Sequence, residues 1–89
     1  MKLNLKDASV IDVRTPAEYA EEHYPGAVNI PVDKIQFGID EIKKMPAPIV
    51  LYCKTGTRSA YAVNILKQNG LKEIYNVGGL HDILKEKST

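Results

Sequence analysis

The sequence predicts an α/β domain in which helices flank a small, mostly parallel sheet. Strand and helix patterns alternate along the chain with short connections, an order typical of sheets built from strand–helix–strand units. One strand, residues 49–52 (IVLY), is apolar throughout, as expected for a strand covered by helices on both faces. The 89 residues suffice for one modest core, so we expect a single domain over residues 1–89.

The first third of the chain predicts two strands with a helix between them. Residues 9–13 (SVIDV) form a short, mostly apolar run that is typical of a buried strand. Thr15 is a good helix N-cap, a proline follows it, and Glu18 completes a capping box. The helix should therefore run from this point to about His23. Residues 27–30 predict the second strand, which ends at a proline.

The rest of the chain predicts three more helices and a further strand besides residues 49–52. Asp33 is expected to cap a helix whose isoleucines, at spacings of four and three, form one apolar stripe for the core. A helical pattern covers residues 58–69, and the glycine after it suits a C-terminal cap. Residues 73–77 predict the last strand, the Gly-Gly pair a turn, and residues 80–87 a closing helix. The isoleucines of the stripe are Ile35, Ile39 and Ile42.

Charge and hydropathy exclude two broad classes of function. The chain has 12 Lys and Arg against 11 Asp and Glu, and this near balance argues against a dedicated nucleic-acid partner. The longest uncharged stretches, residues 24–32 and 45–53, are nine residues each and contain prolines, so no membrane partner is expected. We find no secretory signal pattern near the start of the sequence.

The cysteine count limits the chemistry. Cys53 is the single cysteine, so it cannot form an intramolecular disulfide, and any role must be that of a thiol. With only two histidines the chain has no zinc-site spacing, and neither a metal nor a cofactor is implied. A lone thiol and the missing signal together predict a cytoplasmic protein.

Cys53 begins a segment, CKTGTRS, that joins the clearest strand to the clearest helix. A tight loop at this position directs consecutive backbone N–H groups inward, and the helix N-terminus adds its positive end. Gly56 permits a positive φ or a close backbone approach, while Lys54 and Arg58 add positive charge. These features favour an anion, and they should lower the pKa of the Cys53 thiol, whose thiolate is the nucleophilic form.

Other side chains have simpler interpretations. Asp12 and Arg14 lie at the end of another strand. Either they line the mouth of the same site, or Arg14 pairs with Glu18 or Asp12 to hold the loop. We favour the structural pairing. His23 is interpreted as a structural hydrogen-bonding residue, His81 as exposed, and Tyr61 as part of the core. A lone cysteine at a strand end is itself often a small buried hydrophobe.

With this loop the chain resembles the rhodanese family, and the resemblance extends over residues 9–84. The family's active-site loop has cysteine first and arginine sixth, often with glycine between them. Two departures concern packing: Ile83 stands where many relatives have tryptophan, and the N-terminus is abbreviated, with residues 2–5 as the only candidate for a leading strand. The matching motifs are CKTGTRS at residues 53–59, the segments IDVR, EY, H and GAVNIP between residues 11 and 31, and NVGG at residues 76–79.

The resemblance implies a rhodanese-like three-layer domain and a sulfurtransferase of the thiosulfate type. A small anionic sulfur donor, thiosulfate or a persulfide, would give sulfur to Cys53, and the resulting persulfide would pass it to cyanide, a thiol or a protein. Cys53 would be the catalytic residue. The substrate-binding loop implied by the resemblance comprises Lys54, Thr55, Gly56, Thr57, Arg58 and Ser59.

Two alternatives remain open. A cysteine-dependent phosphatase also uses a cysteine-to-arginine loop, but with five intervening residues; here there are four, and no general-acid aspartate is evident after the loop. A persulfide carrier or protein-interaction module of the same family needs no turnover of its own. The intact Cys53 argues against the interaction module, whereas a carrier would use the same persulfide.

Overall fold

The sheet consists of parallel strands, as the sequence predicts. The structure is a computed structural model, and it describes residues 5–87. Within that range four strands pair in the order β2-β1-β3-β4, with every pairing parallel. The α/β architecture is therefore confirmed. The strands are β1 (Ser9–Asp12), β2 (Val28–Asn29), β3 (Ile49–Cys53) and β4 (Ile74–Gly79).

Helices connect consecutive strands and follow the last one. Two short 3-10 helices, Leu5–Asp7 and Val32–Phe37, precede β1 and α2 respectively. Within the described residues no helix is long and apolar enough to cross a membrane. The α-helices are α1 (Pro16–Glu21), α2 (Ile39–Lys43), α3 (Thr57–Gln68) and α4 (Leu80–Lys87).

Two hydrophobic clusters lie on opposite faces of the sheet, because successive side chains of a strand point to opposite sides. Ile11 and Leu51 belong to the cluster that also contains residues of α2 and α3. Val10 and Val50 belong to the second cluster, with residues of α4 and the segment after α1. The molecule therefore has three layers, and β3, whose five residues are all buried, lies in the middle layer between β1 and β4.

The start of α1 agrees with the prediction because its cap is encoded in the local sequence. Thr15 caps α1: its hydroxyl accepts a hydrogen bond from the Glu18 N–H, and the Glu18 carboxylate accepts one from the Thr15 N–H. The capping box is confirmed. Helix α1 ends at Glu21, two residues before the expected His23. The closing helix has the predicted bounds.

The predicted cap at Asp33 is wrong. Asp33 lies in the first turn of the 3-10 helix, whose N-cap residue is Pro31. Gly38 then separates this segment from α2. The apolar stripe itself is confirmed, since Ile35 and Ile42 are fully buried and the third isoleucine packs against them.

Two further predictions need correction or lie outside the described range. Tyr61 is 61% exposed and so does not belong to the core. The reason is the orientation of α3, which buries the side of the helix carrying Ala62 and Leu66. Of the candidate leading strand, residues 2–4 lie outside the described residues, and Leu5 begins a 3-10 helix instead. Ile83, at the family's tryptophan position, is fully buried in the core.

Candidate active site

Cys53 lies at the carboxyl end of the central strand, where a short loop leads into α3. It is the last residue of β3, one position beyond the predicted strand. Because β3 pairs with β1 on one side and β4 on the other, the loop leaves from the middle of the sheet edge. This is the edge at which parallel α/β sheets bind ligands.

The Cys53 thiol is buried and accepts hydrogen bonds from the loop. The Gly56 N–H lies 2.9 Å from Sγ, and the Ser59 hydroxyl oxygen lies 3.5 Å from it. Burial raises the pKa of the thiol, but hydrogen bonds from the Ser59 hydroxyl and from the N–H groups of Ser59, Thr55 and Gly56 outweigh it. The net result is a pKa below the usual value for cysteine, as predicted, with hydrogen bonds as its main cause.

Glycines allow the loop to lie against the end of β4. Gly56, the N-cap residue of α3, has φ 101°, and a Cβ there would lie 3.3 Å from the Gly78 Cα. Gly78 also has a positive φ, 92°. A side chain at Gly79 would meet the backbone of Lys54. The predicted turn at the two glycines of the NVGG motif is wrong, because Gly78 and Gly79 are the last residues of β4. They supply the surface on which the loop rests.

Asn76 is a site residue that the sequence marked only as one letter of this motif. Its Nδ2 donates to the Gly56 carbonyl over 3.0 Å. Its Oδ1 accepts the Gly78 N–H over 2.9 Å and lies 2.7 Å from the Ser59 hydroxyl oxygen, so it shares the single Ser59 proton with Cys53 Sγ. One amide thus joins β4, the loop and α3. A polar residue in an otherwise apolar strand was the available signal.

Arg58 makes an ion pair across the mouth of the loop. Its Nη1 lies 2.8 Å from Glu18 Oε1, and its Nη2 lies 3.1 Å from Oε2. Arg58 thus connects the loop to α1, and its positive charge is offset by the Glu18 carboxylate. Glu18 was expected as a helix cap or as a partner of Arg14, but not as the partner of Arg58. Lys54, the second cation of the loop, is exposed.

Asp12 and Arg14 form a buried pair, as the structural interpretation expects. Arg14 Nη2 lies 2.7 Å from Asp12 Oδ2 and also donates to the Glu22 carbonyl. The Tyr52 hydroxyl donates to the same carboxylate over 2.7 Å and accepts the Tyr24 N–H over 2.9 Å. Burial raises the pKa of this tyrosine. The network joins β1 to β3 at the residue immediately before Cys53.

A cavity of about 280 Å³ lies beside the loop, between α1 and the start of α4. Arg14 and Lys54 line it, so Arg14 both holds the buried carboxylate and reaches the mouth. His81 is exposed there, as expected. His23 is structural: its Nδ1 lies 2.7 Å from the Tyr19 carbonyl oxygen. The complete lining is Arg14, Glu18, Glu21, Glu22, Lys54, Leu80 and His81.

The structure therefore brings three of the predicted loop residues, Thr55, Gly56 and Ser59, to the Cys53 thiol. The N–H groups of Thr55, Gly56 and Ser59 act on Sγ, whereas Lys54 and Arg58 lie at the rim. Asp12 lies outside the loop, paired with Arg14 and bonded to the Tyr52 hydroxyl. In the part of the chain that the structure describes, no cluster of three or more His, Cys, Asp or Glu side chains is arranged to hold a metal ion.

Fold and site define a class of α/β domain built around a cysteine-centred anion loop. The family described as "Rhodanese-like domain" matches residues 1–86 of the sequence. The chain belongs to this family. The rhodanese resemblance is thereby confirmed.

Individual relatives agree with this assignment. The chain is 37% identical to thiosulfate sulfurtransferase PspE of Escherichia coli (strain K12) over 78 residues, 86% of this chain and 75% of PspE. It is 40% identical to the uncharacterized protein YqhL of Bacillus subtilis (strain 168) over 74 residues. These residues are 83% of this chain and 58% of YqhL. The solved structure "rhodanese with anions from E. coli" superimposes with a TM-score of 0.77 at 36% identity, covering 84% of this chain and 89% of that one.

Proposed function

We propose that this protein is a sulfurtransferase in which Cys53 carries sulfane sulfur from an anionic donor to a nucleophilic acceptor. The observation that carries the proposal is the position of the Cys53 thiol, whose Sγ lies 2.9 Å from the Gly56 N–H and 3.5 Å from the Ser59 hydroxyl at the start of α3. The family, and the thiosulfate sulfurtransferase among its relatives, support the same reaction.

The first step loads sulfur onto the protein. The Cys53 thiolate attacks the outer sulfur of thiosulfate and forms a new S–S bond. The bond between the two sulfur atoms of thiosulfate breaks, and its electron pair leaves with sulfite. Charge balances without a proton, because a thiolate and a dianion give a persulfide anion and sulfite. A thiolate already favoured by hydrogen bonds needs no general base for this attack.

The second step unloads the sulfur and restores the thiolate. Cyanide attacks the outer sulfur of the persulfide, the S–S bond breaks, and thiocyanate leaves while Cys53 keeps the electron pair. A thiol acceptor reacts in the same way as its thiolate and leaves as a persulfide. Two half-reactions joined by a covalent intermediate predict ping-pong kinetics.

The loop residues have separate roles in this reaction. The N–H groups of Thr55, Gly56 and Ser59 stabilise negative charge on the sulfur that is being transferred, since preorganised donors act most strongly on charge that develops in the reaction. Arg58 holds the loop against α1. Lys54 steers the anionic donor from the rim, and Thr57 lies where the loop becomes helix α3.

The natural acceptor in this proposal is a thiol or a protein rather than cyanide. The cavity beside the loop is open to solvent at exposed Lys54 and His81, which leaves room for a macromolecular nucleophile. The reaction requires a free thiol, so we place it in a reducing compartment such as the cytoplasm. A sulfur carrier would share the first step and differ only in lacking turnover with small acceptors.

Intact mass tests the proposal. Reduced protein is incubated with thiosulfate beside a Cys53→Ala control and then treated with cyanide. We expect the wild type to gain one sulfur atom, to lose it to cyanide as thiocyanate, and to turn over repeatedly, while the control gains nothing. No gain with any sulfane donor, together with hydrolysis of a phosphate ester, would favour the phosphatase instead. Loading without turnover would indicate a carrier.

A further inference from the structure

Glu18 holds two parts of the site at once. Its carboxylate accepts the Thr15 N–H at the start of α1, and it pairs with both terminal nitrogens of Arg58. Hydrogen bonds from Arg58 and from the Thr15 backbone lower the pKa of Glu18 to about 2, so the carboxylate is charged at every physiological pH. The positive charge of Arg58 is therefore offset at the mouth of the loop.

The charges that line the cavity beside the loop also do not favour a highly charged anion. The cavity is lined by three glutamates but only two cations, Arg14 and Lys54. Arg14 is paired with Asp12. Lys54 is thus the one lining cation without an ion pair within residues 5–87. Backbone N–H groups around Sγ supply the remaining attraction for an anion.

We propose that Glu18 is a specificity-determining residue that disfavours dianions at the loop, so that the protein takes sulfur from a persulfide in preference to thiosulfate. This inference rests on the proposed sulfur transfer. With a persulfide donor, the Cys53 thiolate attacks the outer sulfur, the donor S–S bond breaks, and its electron pair leaves on the donor thiolate. The reacting end of such a donor carries one negative charge, whereas thiosulfate carries two.

Glu18→Gln separates this electrostatic role from the structural one. Glutamine also serves at the third position of a capping box, so α1 keeps its cap while the negative charge is removed. Coulomb energy is proportional to the charge of the ligand, so the change in affinity for a dianion should be the square of that for a monoanion. We expect about threefold tighter binding of a monoanion and about tenfold tighter binding of a dianion.

Two variants serve as matched controls. Glu21→Gln removes the same charge from the same helix and the same cavity, but leaves the Arg58 pair in place. Thr15→Ala damages the capping box and leaves the Glu18 charge intact. If Glu18 acts through Arg58, both controls should change anion affinity by less than about twofold, since exposed charges at a distance are screened by salt.

The experiment measures protection of Cys53 from alkylation by iodoacetamide, a neutral reagent, at constant ionic strength. Sulfate is the dianion and thiocyanate the monoanion. The expected result is that Glu18→Gln strengthens protection by sulfate more than protection by thiocyanate. Equal changes for both anions, no change for either, no protection of Glu18→Gln by either, or the same changes in Glu21→Gln would overturn the proposal.

Steady-state transfer gives the second readout. We expect kcat/KM of the wild type to be higher for a small alkyl persulfide than for thiosulfate, and Glu18→Gln to lower KM for thiosulfate about tenfold. A wild-type preference for thiosulfate would contradict the inference. The proposed function fails separately, because it requires only that Cys53 gain a sulfur atom. If the wild type loads sulfur and Glu18→Gln shows the same KM and the same protection by anions, only the proposed role of Glu18 is rejected.

Discussion

The backbone of Lys54 lies so close to Gly79 that no side chain fits between them. A Cβ built at Gly79 would lie 2.9 Å from the Lys54 carbonyl carbon and closer still to its oxygen. Gly79 is also the residue of β4 that pairs with Cys53. The first turn of the loop is therefore packed directly on β4, and the position of the thiol depends on this contact.

Gly79→Ala should displace the loop as well as destabilise the protein. We expect a loss of about 1–3 kcal/mol from overpacking, together with slower sulfur loading. Urea unfolding and intact mass after incubation with thiosulfate measure the two effects.

Gly70→Ala is the control for this variant. Gly70 has φ 97° and no atom within 4 Å of a built Cβ, so the substitution strains only the backbone, by about 1–2 kcal/mol, and should not alter loading. If Gly79→Ala loads sulfur as fast as the wild type, the packing argument is wrong.

Ser59→Ala should shift the pH dependence of thiol reactivity. The Ser59 hydroxyl helps to lower the pKa of Cys53, so its removal raises that pKa and leaves less thiolate at neutral pH. We expect the alkylation profile to move to higher pH, and loading at neutral pH to slow by about three- to tenfold. Iodoacetamide rates across pH measure the shift.

The control for Ser59→Ala is the pH profile of alkylation measured on the unfolded proteins. In denaturant, variant and wild type should give the same profile, since the hydrogen bond exists only in the fold. A profile unchanged in the folded variant would mean that the hydroxyl serves Asn76, 2.7 Å away, rather than Sγ.

Much of the fold could be predicted because its signals are local. The Thr15 and Glu18 capping box is encoded within four consecutive residues, and the short apolar run of β-forming residues before Cys53 favours a buried strand. The carboxyl end of that strand then identified the loop. Such signals depend on backbone propensity and burial, which act over a few residues.

The misses depend on tertiary placement. Arg58 and Glu18 are 40 positions apart, so only the meeting of α1 with the loop makes them a pair. The face of α3 that carries Tyr61 is set by its angle to the sheet, which periodicity does not give. Aspartate is a common N-cap residue, but the N-cap of the 3-10 helix is Pro31, and Asp33 lies in the first turn.

Tyr52→Phe should destabilise the fold without affecting sulfur loading. The hydroxyl is buried between the Tyr24 N–H and the Asp12 carboxylate, so its removal leaves a buried donor without its partner. We expect a loss of about 2 kcal/mol by urea unfolding. Tyr61→Phe is the matched control, because that hydroxyl is on an exposed ring and its removal should cost under about 0.5 kcal/mol. Equal effects of the two substitutions would contradict the buried network.

The ion pair between Glu18 and Arg58 should contribute to stability in a defined range of pH. The pKa of Glu18 falls from its usual value of 4.5 to about 2 in the folded protein, so folding favours the ionised form. The resulting stability is fully present above about pH 4.5 and is lost as the pH falls through about 2. Because both side chains are partly exposed, Arg58 at 34% and Glu18 at 27%, we expect the pair to add no more than about 1 kcal/mol to the free energy of unfolding.

Unfolding of the wild type and Glu18→Gln from about pH 6 down to about pH 2 measures this contribution. The wild type should be the more stable protein at the upper end, and the difference should shrink toward acid as Glu18 becomes protonated. Addition of salt at the upper end should reduce the difference as well, because screening weakens an exposed pair. Curves that stay parallel throughout the range would show that the Arg58 contact adds nothing to folding, and that Glu18 acts on the site alone.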